Sequence, residues 1–342
     1  MDATPSVLAA VFLGKPVWLW LAFIGVVVAL LAFDLGVLHR DDRVIEARES
    51  LWMSAGYVAA GLAFGAWVWW YLGAQSGMEY LTGFLIEKTL AMDNVFVIAM
   101  IFAFFAVPLQ YQHRVLFWGV LGVIVLRALM IGLGAAVITR FDWVLYLFGA
   151  FLLATGIKML VLTSHQFDIG GNPLLRWMRS HLRLTDRSYG HSFWVRLPAP
   201  DVRGGAPSSR PGAPLVWWAT PLFLALVLIE FVDVIFAVDS VPAIFAVTQD
   251  PFIVYTSNIF AILGLRALYF ALAAMIERFR YLKYALALVL VFIGAKILLL
   301  DVIGKLPSWL SLGVTIGLLA GGVLYSLYRT RADASVAAVD GG

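Results

Sequence analysis

The sequence contains no cysteine and few charged residues. The absence of cysteine among 342 residues excludes disulfides, thiolate metal sites and catalysis by a thiol. Charged residues make up 13% and hydrophobic residues 62% of the chain, which leaves too little polar surface to cover the core of a soluble protein of this length. All five histidines fall between the long apolar runs or at their ends, so we expect no imidazole ligands in the interior. The composition predicts a polytopic membrane protein.

Nine apolar runs are long enough to cross a bilayer as helices, which takes about 20 residues. They cover residues 16–38, 52–72, 79–106, 115–138, 143–162, 215–247, 252–276, 281–300 and 307–328. We therefore predict an all-α fold with about nine transmembrane helices. No basic segment precedes the first run, so we expect that run to be retained as a helix and not removed as a signal peptide.

One long polar connection, residues 163–214, separates the runs into two groups. It is rich in glycine, proline and serine and holds seven arginines but no lysine. Its stretch 173–184 predicts an amphipathic surface helix, although a disordered linker would have a similar composition. The apolar side chains expected to face lipid are Leu174, Leu175, Trp177, Met178 and Leu182.

The distribution of basic residues predicts the orientation. Most lysines and arginines outside the runs lie on the face that carries this loop and the C-terminus, whereas the other face has only Lys15, Arg140 and Lys305. The positive-inside rule therefore predicts a protein of the cell (inner) membrane with its N-terminus outside and its C-terminus in the cytoplasm. The net charge of +3 reflects this asymmetry, and we expect no nucleic-acid partner.

An acidic motif occurs twice inside the apolar runs. The first copy is E-K-T-L-A-M-D-N at 87–94, and the second lies in E-F-V-D-V-I-F-A-V-D-S-V-P at 230–242. The spacing from Glu87 to Asp93 recurs from Asp233 to Asp239, and a polar residue follows each second acid, Asn94 in one copy and Ser240 in the other. An unpaired carboxylate at the centre of a bilayer costs about 2.5–3.5 kcal/mol on an insertion scale, so these acids require a partner or a function.

The runs that follow each acidic motif also correspond. L-R-A-L at 126–129 and T-G-I-K at 155–158 are matched by L-R-A-L at 265–268 and I-G-A-K at 293–296. Each unit has three spans, and because three is odd the two units enter the membrane from opposite sides. An inverted repeat with polar motifs near the midplane is typical of secondary transporters.

This repeat suggests five segments along the chain. They are 1–50, an N-terminal helix and first loop; 51–163, the transmembrane half with the first acidic repeat; 164–214, the cytoplasmic basic loop; 215–301, the second acidic repeat; and 302–342, the last transmembrane helix and cytoplasmic tail.

The acidic motifs predict a site for a hard divalent cation, because carboxylate, amide and hydroxyl oxygens suit magnesium, calcium or manganese. The candidate metal ligands are Glu87, Asp93, Asn94, Asp233, Asp239 and Ser240, and the candidate supporting charges are Glu230, Arg127, Arg266, Lys158, Lys296 and Asp34. A purely structural network of ion pairs is the alternative. In that network the two arginines are fixed counter-ions, and Glu230 either joins the site or bridges to Arg266.

Several of these residues have simpler interpretations. Lys88, Lys158 and Lys296 could extend their ammonium groups to the membrane interface, and Asp34 could be an interfacial acid. Met92 could supply a soft thioether that favours manganese, or could simply face the core or lipid.

Helical geometry adds one expectation about the two motifs. Acids six residues apart are separated by about 9 Å along a straight helix and point in different directions. We therefore expect the helices to unwind locally near Gly83 and Pro242, so that both acids of a motif can reach one site.

The chain resembles the TerC family of integral membrane proteins, named for tellurium resistance and including manganese exporters. The segments that carry the resemblance are F-D-L-G-V-L-H-R at 33–40, 83–98, Q-H-R-V-L-F-W-G at 112–119, 231–246 and 257–270. The resemblance implies a multi-span fold, export of manganese from the cytoplasm, and carriage of the ion by Glu87, Asp93, Asp233 and Asp239. The serine and threonine that the family has beside these acids are replaced here by Ala91 or Met92 and by Val232, so a ligand role for those hydroxyls is not expected.

We therefore expect a non-enzymatic Mn²⁺ exporter that works by proton-coupled alternating access. Its partners would be the bilayer, the transported Mn²⁺ and protons, with no prosthetic group, and a protein partner could dock on loop 164–214. The alternatives are a membrane scaffold or tellurite-stress factor without transport and, as a remote possibility, an intramembrane aspartyl protease. The Y-D and G-x-G-D contexts of such a protease are absent.

Overall fold

The computed structural model describes residues 9–33, 47–141, 143–161, 169–200, 207–208, 213–273, 282–304 and 306–340. In these residues the chain is mainly helical. The helices are α1 Val17–Phe33, α2 Ala47–Leu72, α3 Ala74–Phe104, α4 Leu109–Arg140, α5 Trp143–Val161, α6 Pro173–His181, α7 Pro221–Phe245, α8 Pro251–Leu263, α9 Leu265–Ala273, α10 Leu282–Leu298, α11 Leu300–Ile303 and α12 Ser308–Asp340.

Two small antiparallel ribbons interrupt the predicted all-α fold. β1 Val11–Phe12 pairs with β2 Lys15–Pro16 just before α1. β3 Trp194–Pro198 pairs with β4 Leu215–Ala219 inside the basic loop. Both ribbons lie at the ends of apolar helices, where backbone groups can still be hydrated and need no helix to satisfy them.

Five of the described helices are long and apolar enough to cross a membrane. They are Arg48–Leu72, Leu109–Arg140, Trp143–Val161, Pro221–Phe245 and Ser308–Arg329. Large apolar side chains on their outer surfaces are exposed, as expected for surfaces that contact lipid. The chain is therefore a multi-pass membrane protein, and the count of nine spans stays a prediction.

The other predicted spans differ from this group for identifiable reasons. α3 has 31 residues but also carries Glu79, Glu87, Lys88 and Asp93. The predicted run 252–276 is divided at Gly264 into α8, which has 13 residues, and α9, which is described as far as Ala273.

Helix α3 lies at the centre of the molecule. It packs against α2, α7, α8, α9 and α12. Its contact with α7 is antiparallel: Gly83 approaches Ile244, whereas Asn94, later in α3, lines a cavity with Asp233, earlier in α7. The two acidic motifs therefore face each other along this pair of helices.

The predicted unwinding of the acidic motifs is wrong. α3 and α7 are continuous helices through both motifs. Gly83 serves close packing instead, since a Cβ there would lie 2.8 Å from Ser257 Oγ. Pro242 falls three residues before the end of α7, so its missing N–H affects only the final turns. An unbroken ladder of backbone hydrogen bonds also avoids unsatisfied polar groups in hydrocarbon.

The basic loop folds against the end of the helical bundle. Asn172 caps α6 by accepting a hydrogen bond from the Leu174 backbone N–H at 2.9 Å. Leu175 and Met178 are buried in the same core cluster as residues of α3, α4 and α7. The predicted amphipathic helix is therefore present, but its apolar side packs on protein and not on lipid. Trp177, on the other side of α6, is exposed.

Helices α5 and α10 approach each other closely enough for backbone contact. Three glycines permit the contact: a Cβ at Gly294 would lie 2.7 Å from the Gly149 carbonyl oxygen, and one at Gly156 would lie 2.8 Å from the Ala287 carbonyl oxygen. Later residues of α5 meet earlier residues of α10, so the pair is antiparallel. Backbones that approach this closely are typical of small-residue contacts between membrane helices.

We predict that Gly294→Ala and Gly156→Ala each destabilise the protein by about 1–3 kcal/mol, the usual cost of overpacking. The added methyl would meet backbone atoms, so the two helices would have to separate. Thermal unfolding of purified protein in detergent measures the effect. Gly132→Ala in α4 is the matched control, since a Cβ there meets nothing within 4 Å; equal melting of the three variants would contradict the proposed tight contact.

Candidate functional site

Arg127 of α4 connects both acidic motifs in the interior. Its Nη1 lies 2.9 Å from Glu87 Oε1 of α3 and donates to Ser240 Oγ of α7 at 2.6 Å. Its Nε and Nη2 donate to the two carboxylate oxygens of Asp233 at 3.1 and 3.2 Å. The side chains of Arg127 and Glu87 are each 1% exposed. Three helices are therefore joined through one guanidinium.

The geometry explains why arginine occupies this position. A guanidinium presents its N–H donors as a rigid planar fork, which allows two parallel bonds to one carboxylate and further bonds to other groups. Here the fork engages Asp233, and the remaining donors reach Glu87 and Ser240. Two carboxylates share one guanidinium, whose single positive charge can balance only one carboxylate charge in this region of low dielectric.

A cavity of about 70 Å³ adjoins this cluster. Its polar wall is formed by Glu87, Asn94, Arg127 and Ser240, and its apolar wall includes Met159 of α5. Glu87 Oε2 and Asn94 Oδ1 are buried, and neither has a hydrogen-bond partner among the described residues. A cavity this large admits water or a small ion, and its unused acceptor oxygens favour a donor or a cation.

A second cavity, of about 30 Å³, lies toward α4 and α8. Asn94 and Asp233 contribute its polar groups, and Gly119 of α4 forms part of the opposite wall. Asn94 lines both cavities. The amide of the first motif therefore stands between the two spaces.

Glu230 lies one turn from Asp233 and faces the glycines of α4. Both of its carboxylate oxygens are buried, and neither has a hydrogen-bond partner within the described parts of the chain. A Cβ at Gly122 would overlap this carboxylate, so the glycine makes room for it. The Arg266 side chain is outside the described residues, and the proposed bridge between Glu230 and Arg266 stays a prediction.

Other predicted site residues are placed as follows. Asp93 lies in α3 and Asp239 in α7, but their side chains are outside the described residues, as is the whole of Asp34. Lys158 is exposed on α5, and Lys296 donates to Ser311 Oγ of α12 at 2.9 Å. Neither lysine lines the two cavities.

Lys88 does not reach the membrane interface. Its side chain is buried, and its Nζ donates to the Ala261 carbonyl oxygen of α8 at 3.2 Å. Ala261 lies in the last turn of α8, where carbonyls lack helical partners and the helix dipole favours a cation. Lys88 therefore caps α8 beside the break at Gly264, a role that sequence reasoning missed.

Asn258 of α8 is a second residue that sequence reasoning missed. It is fully buried, and neither its amide oxygen nor its amide nitrogen has a partner in the described ranges. It lies one turn before Ile262, which lines the smaller cavity. The available signal was an amide inside the apolar run 252–276, in the segment S-N-I-F-A.

The described donors alone do not form a complete cation site. No group of three or more histidine, cysteine, aspartate or glutamate side chains in the described part of the chain is arranged to hold a metal ion. The carboxylates of Glu87 and Asp233, with Asn94 and Ser240, provide oxygen ligands of the kind that hard cations prefer. Met92 packs against the hydrophobic core, so the simpler interpretation of its thioether applies.

We predict that Arg127→Met destabilises the protein by about 3–5 kcal/mol, because Glu87 and Asp233 would be left as buried, unpaired charges. Thermal unfolding of the purified protein measures this change. Adding Glu87→Gln and Asp233→Asn removes the charges and should restore most of the loss. Arg140→Gln, at the exposed end of the same helix, is the control. Failure of the triple variant to recover would show that the charges are not what Arg127 stabilises.

Comparison with known proteins places the chain in a family. The model of the "Integral membrane protein TerC family" matches residues 72–334. An Escherichia coli K12 protein named as the membrane-bound redox modulator Alx is 49% identical over 315 residues, which cover 90% of this chain and 92% of that protein.

Two further relatives are described as uncharacterized membrane proteins. The one from Myxococcus xanthus is 45% identical over 97% of this chain and 96% of its own length. The one from Rickettsia bellii is 45% identical over 91% of this chain and 97% of its own length. No solved structure matches the chain. The protein therefore belongs to the TerC family of integral membrane proteins.

Proposed function

We propose that this protein exports a divalent cation, Mn²⁺, through the site at Arg127, by proton-coupled alternating access and without enzymatic activity. The observation that carries the proposal is the meeting of both acidic motifs in the interior. Glu87, Asp233 and Ser240 converge on one guanidinium, and acceptor oxygens of Glu87 and Asn94 are left over beside a cavity. Buried ionisable groups in membrane proteins typically mark ion pathways.

We propose nine spans and an inverted repeat, and the packing supports the repeat. In the sequence correspondence, Glu87 matches Asp233 and Asn94 matches Ser240. Glu87 and Ser240 share Arg127 Nη1, and the matching pair, Asp233 and Asn94, shares the smaller cavity. This reciprocal arrangement, and the antiparallel contact of α5 with α10, are what two units of opposite orientation would produce. We place the N-terminus on the outer side of the inner membrane and the C-terminus in the cytoplasm.

Arg127 would balance part of the carboxylate charge of the site when no metal is bound. A divalent cation could bind the free Glu87 Oε2 while Oε1 stays on Arg127. Both Asp233 oxygens accept from Arg127, so use of Asp233 as a ligand would change the contacts of Arg127. We assign the exchange of Mn²⁺ for protons to Asp93 and Asp239, which follow the paired acids by six residues in each motif. Deprotonation to bind metal and protonation on release couple the two ions.

The energetics require such a coupling. Moving two positive charges outward against an inside-negative potential of about 100 mV costs about 4–5 kcal/mol. Protons that enter through the same carrier return that free energy. Met159 adds a thioether to the wall of the larger cavity, a soft group that favours manganese over magnesium.

The name of the Escherichia coli relative suggests a second candidate, a role in redox balance. This chain has no cysteine, so it cannot exchange electrons through its own thiols. An exporter that sets the cellular level of a redox-active cation such as manganese would also influence redox balance. A scaffold without transport stays the remaining alternative, and flux measurements separate it from both.

We predict that purified wild-type protein moves Mn²⁺ across proteoliposome membranes and that Glu87→Gln and Asp233→Asn each lower the rate at least tenfold. An amide keeps the shape of the carboxyl group but lacks the charge that a divalent cation needs. A manganese-quenched dye inside the vesicles reports the initial rate. Asp93→Asn and Asp239→Asn are expected to behave in the same way.

Glu79→Gln is the matched control for this experiment. Glu79 lies in the same helix, two turns before Glu87, and accepts a hydrogen bond from Gln75 outside both cavities. The Glu79→Gln variant should transport Mn²⁺ at the same rate as the wild type. Absence of flux in correctly folded wild-type protein would overturn the transport proposal and favour the scaffold.

We predict that Mn²⁺ moves toward the acidic side of the membrane. Vesicles with an acidic lumen should take up Mn²⁺ faster than vesicles at equal pH, and uptake should raise the pH of a weakly buffered lumen, because protons leave as metal enters. A pH-sensitive dye in the lumen measures the counter-movement. Flux that ignores the gradient and moves no protons would contradict coupling while leaving transport intact.

A further inference from the structure

One face of the β3–β4 ribbon carries aromatic and basic side chains that the described parts of the protein leave largely exposed. Side chains alternate along a strand, and the pairing of Arg196 with Trp217 places Trp194, Arg196, Leu215 and Trp217 on the same face. Arg196 is exposed, as are the three apolar side chains, with Trp217 at 54%. On the opposite face Trp218 is buried. The ribbon is therefore packed on one side only.

The position of the ribbon is fixed by the helix that follows it. β4 ends at Ala219, and α7 begins two residues later at Pro221. Thr220 Oγ1 donates to the Ser192 carbonyl oxygen at 2.8 Å, and the Trp194 ring lies 4.5 Å from the ring of Phe223 in the first turn of α7. Since α7 is long and apolar enough to cross the membrane, the ribbon lies at the boundary between hydrocarbon and water.

Tryptophan and arginine are the residues that favour this boundary, because each combines an apolar body with a polar end. The Arg196 guanidinium carbon lies 4.6 Å from the centre of the Trp217 ring. Stacking uses the flat face of the guanidinium and leaves its N–H edge for phosphate oxygens.

The exposed charge of the surrounding loop is mostly positive. The exposed arginines of its described part are Arg176, Arg179, Arg183, Arg187 and Arg196. Asp186 is the exposed acid among the described residues of 169–219. Such clusters beside a membrane helix attract anionic lipid surfaces.

We propose that the exposed face of the β3–β4 ribbon binds the headgroups of anionic phospholipids in the adjacent leaflet. Trp194 and Trp217 enter the interfacial zone, and Arg196 contacts lipid phosphate. The bilayer is the occupant that the structure favours, because the ribbon is attached directly to a helix of spanning length and its charge complements acidic headgroups. This surface is separate from the cavities at Arg127 and does not depend on transport.

The absence of cysteine makes the test direct. A nitroxide attached to Leu215→Cys reports the ribbon face, and one on Ser188→Cys reports an exposed position of the same loop. The labelled full-length protein is placed in nanodiscs of phosphatidylcholine, with or without phosphatidylglycerol. Collisions with oxygen, which concentrates in lipid, and with a water-soluble nickel chelate then show whether each label lies in the bilayer.

The label at position 215 should collide with oxygen more than with the chelate, and more so when phosphatidylglycerol is present, whereas the label at 188 should stay aqueous. Arg196→Gln should abolish the dependence on phosphatidylglycerol. Native mass spectrometry should show an about fivefold lower preference for retained phosphatidylglycerol, which corresponds to about 1 kcal/mol per arginine at an anionic surface. Arg140→Gln, at the opposite end of α4, should change neither result.

Three outcomes would overturn the proposal. Free access of the chelate to position 215 in both lipids would place the ribbon in water. Equal immersion in both lipids, unchanged by Arg196→Gln, would show that headgroup charge is not recognised. Exclusion of both collision partners would show that protein, not lipid, covers this face.

Discussion

Arg127 binds carboxylates from two different helices in a part of the protein that bulk water does not reach. The guanidinium between Glu87 and Asp233 offsets the free-energy cost of burying these carboxylates. The packing of α3, α4 and α7 and the charge of the interior therefore depend on one side chain. In the proposed transport cycle, an entering cation would compete with this guanidinium for the same carboxylates.

The helices could be predicted from the sequence because apolar runs of about 20 residues leave few alternatives in a bilayer. Three local features could not be predicted from the sequence. The division at Gly264 depends on Lys88, which comes from a distant helix to satisfy the freed end of α8. The β3–β4 ribbon lies in a stretch whose composition resembles a linker. Leu175 and Met178 face protein, and amphipathicity alone does not say whether an apolar side meets lipid or a neighbouring helix.

The site was predictable to the extent that its residues are charged. Acids and an arginine inside apolar runs must find one another, and Glu87, Asp233 and Arg127 do. Asn258 and Met159 could not be predicted in this way, because they are uncharged and lie outside the two acidic motifs. In helices that are apolar on all sides, sequence periodicity does not show which side chains point inward. The directions of Asp93 and Asp239 are not described, so their role as ligands still rests on the sequence and on family resemblance.

The break at Gly264 gives the two L-R-A-L stretches different backbone surroundings. The first L-R-A-L stretch lies in the unbroken helix α4, whereas the second begins α9 after the break. Across this break the Leu268 N–H still donates to the Gly264 carbonyl oxygen at 2.9 Å, and Lys88 donates to the Ala261 carbonyl oxygen, whereas α4 is uninterrupted. The carbonyl next to the second stretch therefore relies on a lysine from another helix, whereas the first stretch is held within its own helix.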